Sequence, residues 1–344
     1  MEQVLHALLW LLVGMAGIWL LSVIFISIRS YILMFRPKFQ NLEYCRTWGL
    51  EHGEFDQTFL SLPWELVTVH VAHRNAPVAA LCLPAQTDER NVKAPGVAIF
   101  VHGITWTRYG MFKYMGPFIE QGWHVLAVDL PGHGDSPAGS KTVPSYGYHE
   151  KYDLDAVVDW ARSRFGKELP VILVGESMGA GTVLQYAPLG APGGSSPKDW
   201  KVAAIIADCS YTSAAEELEA RLADTGVPRF IAAPVRRVVD WILQLFRGYG
   251  LTEPSPKTAV LQSPVPILFI HGEADTYVPT WMSRDMADRR RALKVGPTEL
   301  VLVPEASHAK SVMVNRELWF SAVFDFLNRV LPQKDSELGT KDAV

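Results

Sequence analysis

The string Gly175-Glu176-Ser177-Met178-Gly179 is the first place in this chain where residue types and spacing point to chemistry. An apolar run at 171–174 precedes it, and the small residues Ala180 and Gly181 follow it. Strand, sharp turn with a serine at its tip, then helix is the pattern this describes. Glycines two residues either side of the serine let the strand and helix backbones approach, leaving a hydroxyl exposed at a helix N-terminus. The string is short, so its partners must support it. A serine hydroxyl is a weak nucleophile. It needs a neutral imidazole to take its proton and a carboxylate to fix that imidazole's tautomer and stabilise the imidazolium. Such groups end two later apolar runs. Residues 265–270 lead into His271-Gly272-Glu273-Ala274-Asp275, and residues 298–303 into Pro304-Glu305-Ala306-Ser307-His308. A fourth run, 96–101, ends in His102-Gly103-Ile104-Thr105. Hydroxyl, carboxylate and imidazole thus occur in the order Ser, Asp, His.

The elements that must position these groups are legible as apolar or alternating runs at 64–71, 78–83, 96–101, 123–128, 171–174, 202–207, 265–270 and 298–303. From the third run onward, stretches of helical period separate them, with helices expected at 110–121, 148–165, 177–187, 281–294 and 316–330. Strand-helix crossovers of this kind build an α/β domain with a mostly parallel eight-stranded sheet covered by helices on both faces. The first two runs, with Asn75-Ala76-Pro77 between them, read as an antiparallel hairpin at one edge. In such sheets ligands collect at the C-terminal ends of the strands, where all four chemical segments fall.

Length and composition, 344 residues with 49% hydrophobic and 20% charged, suit one large domain plus an appendage. A net charge of -4 without a long basic run excludes a nucleic-acid binder of the usual electrostatic kind. Three cysteines, Cys45, Cys82 and Cys209, have neither metal spacing nor an even count, so no zinc site or disulfide framework is indicated. Residues 4–28 are almost wholly apolar and long enough to cross a bilayer, and no A-x-A cleavage pattern follows, so residues 1–35 read as an uncleaved transmembrane anchor. Arg29, Arg36, Lys38 and Arg46 after it, against Glu2 before it, place the remainder on the cytoplasmic side.

Residues 36–63 show no clear period and read as a connector, 64–331 as the main domain, 188–197 as a Gly, Pro and Ser loop, and 332–344 as a polar tail. The segment 212–263 is too long for a plain connection and is expected to form a cap. Within it, 234–247 reads as an amphipathic helix with Pro234 in its first turn. Val235, Val238, Val239, Ile242, Leu245 and Phe246 form its apolar stripe, and Arg236, Arg237, Gln244 and Arg247 its polar side.

Five strings in order, VHGITW at 101–106, VDLPGHGDS at 128–136, VGESMGAG at 174–181, IHGEADTYVP at 270–279 and PEASHAK at 304–310, resemble the α/β-hydrolase superfamily, within its serine esterase and lipase branch. The chain is also similar to membrane-anchored bacterial hydrolases of that fold in having one N-terminal apolar segment. The resemblance implies Ser177 as nucleophile, His308 as base because the family places its histidine last, and Asp275 as the acid, with Asp208 at the position some relatives use instead. It implies backbone N–H donors at Ile104 and Met178 for the oxyanion that forms on attack. His102, His133 and His271 are expected to shape loops. The implied activity is cleavage of carboxylic esters of apolar acyl groups, small-molecule or lipid-like, with no metal or organic cofactor. A thioester or peptide bond is the alternative on the same groups, and a silent binding scaffold the alternative of another class. Oligomeric state is left open.

Overall fold

The computed structural model of the protein describes residues 1–86, 94–137, 144–191 and 200–331. Eight strands among them form one sheet: β1 (Glu65–Val71), β2 (Ala76–Leu83), β3 (Val97–Val101), β4 (His124–Val128), β5 (Val171–Glu176), β6 (Ala204–Asp208), β7 (Ile267–Gly272) and β8 (Thr298–Val303). Their order is β1-β2-β4-β3-β5-β6-β7-β8. β1 and β2 form the expected antiparallel edge hairpin, β2 runs antiparallel to β4, and all other pairs are parallel. The apolar runs are continuous because both faces are covered. Val97, Ile99 and Val101 of β3 enter one core with Val171 and Leu173 of β5, while Ala98, Phe100, Ile172 and Val174 enter the other.

The helices are α1 (Glu2–Phe35), α2 (Leu42–Glu51), α3 (Gln57–Leu60), α4 (Phe112–Glu120), α5 (Glu150–Phe165), α6 (Met178–Gly190), α7 (Ala214–Asp224), α8 (Arg229–Arg247), α9 (Pro256–Val260), α10 (Trp281–Leu293), α11 (Ser311–Val314) and α12 (Arg316–Val330). α5, α6 and α10 cover the first face, and α4 and α12 the second. A third apolar cluster lies over the C-terminal ends of the strands. The last turns of α1 build it together with α7, α8, Ile104, Val278 and Met282.

Three readings are refined. The connector at 36–63, whose sequence shows no clear period, holds two short helices: Asn41 caps α2 by accepting from the Tyr44 N–H (2.7 Å), and Asp56 caps α3 by accepting from the Phe59 N–H (3.0 Å). Side-chain caps satisfy helix ends that carry little apolar period. The second is a correction at Pro188, which begins no loop. α6 continues to Gly190, because Leu189 and Ala191 still pack on the sheet.

The third concerns α8, which starts at Arg229, so Pro234 lies inside the helix. Its buried contact follows an i, i+4 ridge, Val235, Val239 and Leu243, which drifts around the helix. Leu245 and Phe246, expected inside, are therefore 77% and 70% exposed. Of the polar side, Arg236 pairs with Glu219 (2.9 Å) and Arg247 donates to the Tyr31 hydroxyl (3.2 Å). The polar tail at 332–344 and residues 192–197 of the expected loop lie outside the described residues.

Candidate active site

β5 delivers Ser177 to the end of the sheet and α6 begins with the next residue. Ser177 holds φ 54 and ψ -115, a left-handed conformation that a serine adopts only under constraint, at a cost of order 1–3 kcal/mol. Several contacts impose it. Its N–H donates to the Asp208 carbonyl and its carbonyl accepts from Gly181, both at 2.9 Å. A Cβ on Gly175 would strike the Gly179 carbonyl, and one on Gly179 would strike the Val101 and His102 carbonyls. Both glycines are there for close backbone approach.

Beneath the turn lies a buried polar network. Glu176 accepts from the Tyr114 hydroxyl (2.7 Å) and pairs with Lys113 (2.5 Å). Asp208 accepts from Ser311 Oγ (3.0 Å), the Trp319 indole (2.9 Å) and the Tyr114 hydroxyl (3.2 Å). Burial, with Glu176 beside it, pushes the Asp208 carboxyl up to about 6. The alternative acid is thus occupied by side chains under the turn, and the histidine bonds elsewhere.

His308 sits on the loop after β8, held where Lys113 Nζ donates to the Ala309 carbonyl (3.1 Å). Its Nδ1 lies 2.7 Å from Asp275 Oδ2 and its Nε2 lies 2.9 Å from Ser177 Oγ. A carboxylate only accepts, so hydrogen-bond logic assigns the proton to Nδ1 and turns the Nε2 lone pair to the serine hydroxyl. Asp275 Oδ1 accepts the Tyr277 and Val278 N–H groups, each at 2.9 Å. Buried His271 approaches Asp275 Oδ2 at 3.2 Å, its Nε2 also lying 2.9 Å from the Val278 carbonyl and its Nδ1 2.7 Å from Ser283 Oγ. Burial raises the Asp275 carboxyl, but the bonds from His271 and His308, the His308 charge and the Val278 N–H outweigh it and hold it well below the carboxylate range. Of the expected residues, Ser177, His308 and Asp275 are therefore brought into one hydrogen-bonded line.

The 102–104 loop runs against the serine, since a Cβ on Gly103 would lie 3.3 Å from Ser177 Cβ. Neither the Ile104 nor the Met178 N–H has an acceptor among the described residues. Such free donors beside a developing charge are what oxyanion stabilisation requires. His102 is a buttress. Its Nε2 accepts from the Leu130 N–H (3.0 Å), its Nδ1 meets the Gly103 carbonyl (2.7 Å), and burial keeps it neutral by lowering its pKa well below the usual value. The His133 ring packs tilted against Phe39 with centroids 4.1 Å apart.

Two neighbours escaped sequence reasoning. The Tyr277 ring lies 4.7 Å from that of His308, and the Arg221 guanidinium stands 3.8 Å from the Tyr277 centroid. Behind them, α7 buries Glu217, whose Oε2 has no partner among the described residues and whose Oε1 is 3.8 Å from Arg221. The available signal was periodicity, because Glu217 shares the inner stripe of α7 with Ala214 and Leu218. Burial pushes its carboxyl from 4.5 up to about 8, more than Arg221 draws it down. Between those values the unfolded chain has released a proton that the folded chain keeps. The stability gained below 4.5 is therefore lost as pH rises toward 8. Glu217→Gln is expected to raise the melting temperature by about 1 to 2 °C per kcal/mol relieved, with a gain that grows across this window. Thermal unfolding of both proteins over pH checks it, and a gain independent of pH would contradict the protonated state.

Cys209, Asp275 and His308 offer three possible metal ligands within 4.8 Å. This donor set does not fit an ion well. Both His308 nitrogens and the Asp275 oxygens serve the line just described, and burial pushes the Cys209 thiol well up, away from the thiolate a metal needs.

A profile of the alpha/beta hydrolase family matches residues 98–323. The uncharacterized protein YqkD of Bacillus subtilis (strain 168) is 33% identical over 237 residues, 69% of this chain and 72% of its own. Among solved structures, the Pyrococcus furiosus esterase Pf2001 aligns with a TM-score of 0.57 at 21% identity, over 81% of this chain and 97% of that one. A Pyrococcus horikoshii acylaminoacyl peptidase aligns with a TM-score of 0.56 at 14% identity, over 82% of this chain and 44% of the peptidase. These structural likenesses carry the fold, and with the profile and the Bacillus relative they establish that the chain belongs to the alpha/beta hydrolase family.

Proposed function

We propose that the protein is a membrane-anchored serine hydrolase that cleaves carboxylic esters of apolar acyl groups through an acyl-enzyme. One observation carries the reading: the Ser177-His308-Asp275 line, 2.9 and 2.7 Å between its heavy atoms, lies under an apolar roof. Ser177 Oγ attacks the ester carbonyl as its proton passes to His308 Nε2, while Asp275 stabilises the imidazolium. The N–H groups of Ile104 and Met178 receive the oxyanion. His308 then protonates the departing alcohol and takes a proton from the water that releases the acid.

α1 is long and apolar enough to cross a membrane, and only 11% of its most apolar window is buried. That exposure supports an anchor rather than a core helix. The basic residues after it favour the cytoplasmic side. The test is a profile of p-nitrophenyl esters from acetate to palmitate beside acyl-CoA and peptide substrates, using the full chain in nanodiscs. Turnover rising with acyl length among oxygen esters is the expected result. Preference for the thioester or the peptide would replace the ester reading.

A further inference from the structure

α1 has 34 residues. At 1.5 Å per residue it is about 51 Å long, some 20 Å more than the ~30 Å hydrocarbon core. Its two parts meet different surroundings. Residues 2–21 are exposed throughout, whereas from Val23 onward one stripe, Val23, Ser27, Ser30, Met34 and Phe35, is buried. That stripe packs on α8 and belongs to the same apolar cluster as Ile104, Val278 and Met282, beside the candidate nucleophile and acid. Phe35 is fully buried with its ring 5.3 Å from Tyr146. Just past the helix, the Gln40 N–H donates to the Thr105 carbonyl (2.8 Å), tying the end of α1 to the loop that carries Ile104.

The α1 side of the seam is apolar at Val23, Met34 and Phe35 and carries the hydroxyls of Ser27 and Ser30 between them. Ser27 turns its hydroxyl back to the Val23 carbonyl (2.7 Å), and the Arg247–Tyr31 bond closes one end. From Val23 to Phe35 the seam runs about 18 Å along the helix. Outside it, Phe25, Ile28 and Leu33 of α1 and Trp241, Leu245 and Phe246 of α8 are exposed, with Arg29, Arg237 and Gln244 exposed among them, so an amphipathic exterior continues from the span onto α8.

We infer that the seam between α1 and α8 is the entrance from the bilayer, that the last three turns of α1 line the acyl site, and that the substrate is a long-chain ester of a membrane-resident amphiphile. This rests on the serine-hydrolase reading above. A water-borne short ester has no need of such a path, whereas an acyl chain already in the bilayer reaches Ser177 along mainly apolar walls by parting α1 from α8. The roof that covers the nucleophile is then the same wall that guides the chain.

The experiment uses the full chain in phosphatidylcholine nanodiscs and a hexadecyl fluorophosphonate with a diazirine at the chain end. After Ser177 is labelled and the sample irradiated, peptide mapping should place the cross-links in residues 23–35 and 235–243. Labelled Ser177 with cross-links confined to other elements would overturn the entrance and leave the hydrolase reading intact. Unlabelled Ser177 would sink the hydrolase reading and this inference with it.

A second measurement joins Tyr31→Cys to Arg247→Cys with a short, cleavable thiol cross-linker. Closing the seam should lower turnover of a palmitoyl ester about tenfold relative to a butyryl ester, and cleaving the linker should restore the ratio. A ratio unmoved by closing would contradict the path.

Discussion

Ser177→Ala is expected to abolish fluorophosphonate labelling and to lower kcat for ester hydrolysis by about 10⁴- to 10⁶-fold, with the fold retained. Ser177 holds the hydroxyl that His308 Nε2 meets, and the buried hydroxyls near it are engaged elsewhere, Ser210 with the Tyr211 carbonyl and Ser311 with Asp208. Among the described residues no other hydroxyl bonds to His308 Nε2, and burial pushes the nearby Cys209 thiol well up, away from the reactive thiolate. Alanine at 177 keeps the constrained backbone, since it too has a Cβ at φ 54. Ser177→Gly should be equally inactive yet more stable, by about 1 kcal/mol, because glycine adopts that conformation without penalty. Labelling mass spectrometry, a kinetic trace and thermal unfolding of the two variants separate these effects. Labelling that persists in Ser177→Ala would mean another nucleophile.

Asp275→Asn is expected to cost about 10⁴-fold in kcat with KM little changed. An amide can present its NH₂ to His308 Nδ1, which would favour the tautomer whose Nε2 carries the proton and faces the serine. Asp275 is also the acceptor for the Tyr277 and Val278 N–H groups, so its loop should loosen. Its carboxyl is held well below the usual range in the folded protein. That contribution to stability is present above the unfolded carboxylate range and is lost only as pH falls through the depressed folded value. Asp275→Asn should therefore lower the melting temperature at neutral pH, with the difference shrinking in strong acid. Steady-state kinetics and unfolding curves measure both, and a fall in kcat below tenfold would point to a different acid.

Ser177, Asp275 and His308 were legible because each lies within a few residues of the end of an apolar run, so a strand assignment also places the side chain in the turn or loop at that strand's end. The β8 expectation coincides with the observed strand, and the others differ by a few residues at their ends. Ile104 and Met178 came from resemblance, since a backbone donor leaves no side-chain signature. What stayed hidden depends on distant partners. Lys113 meets Ala309, 196 residues away, and Tyr114 meets Glu176, 62 away. Nothing local marks such a lysine as buried. α2 and α3 were missed because caps at Asn41 and Asp56 hold short helices with few buried side chains. The start of α8 was misread because proline at a first helical turn is the commoner arrangement, and here the apolar ridge outweighs its missing hydrogen bond.

The pairing of α1 with α8 also sets a schedule for synthesis. Tyr31 and Arg247, which meet across that seam, are 216 residues apart. At 5–20 residues per second a ribosome needs about 10 to 40 s to make the intervening chain. For that interval the inner stripe of α1 has been made while its partner has not, so lipid or a chaperone must cover Val23, Met34 and Phe35 until α8 emerges.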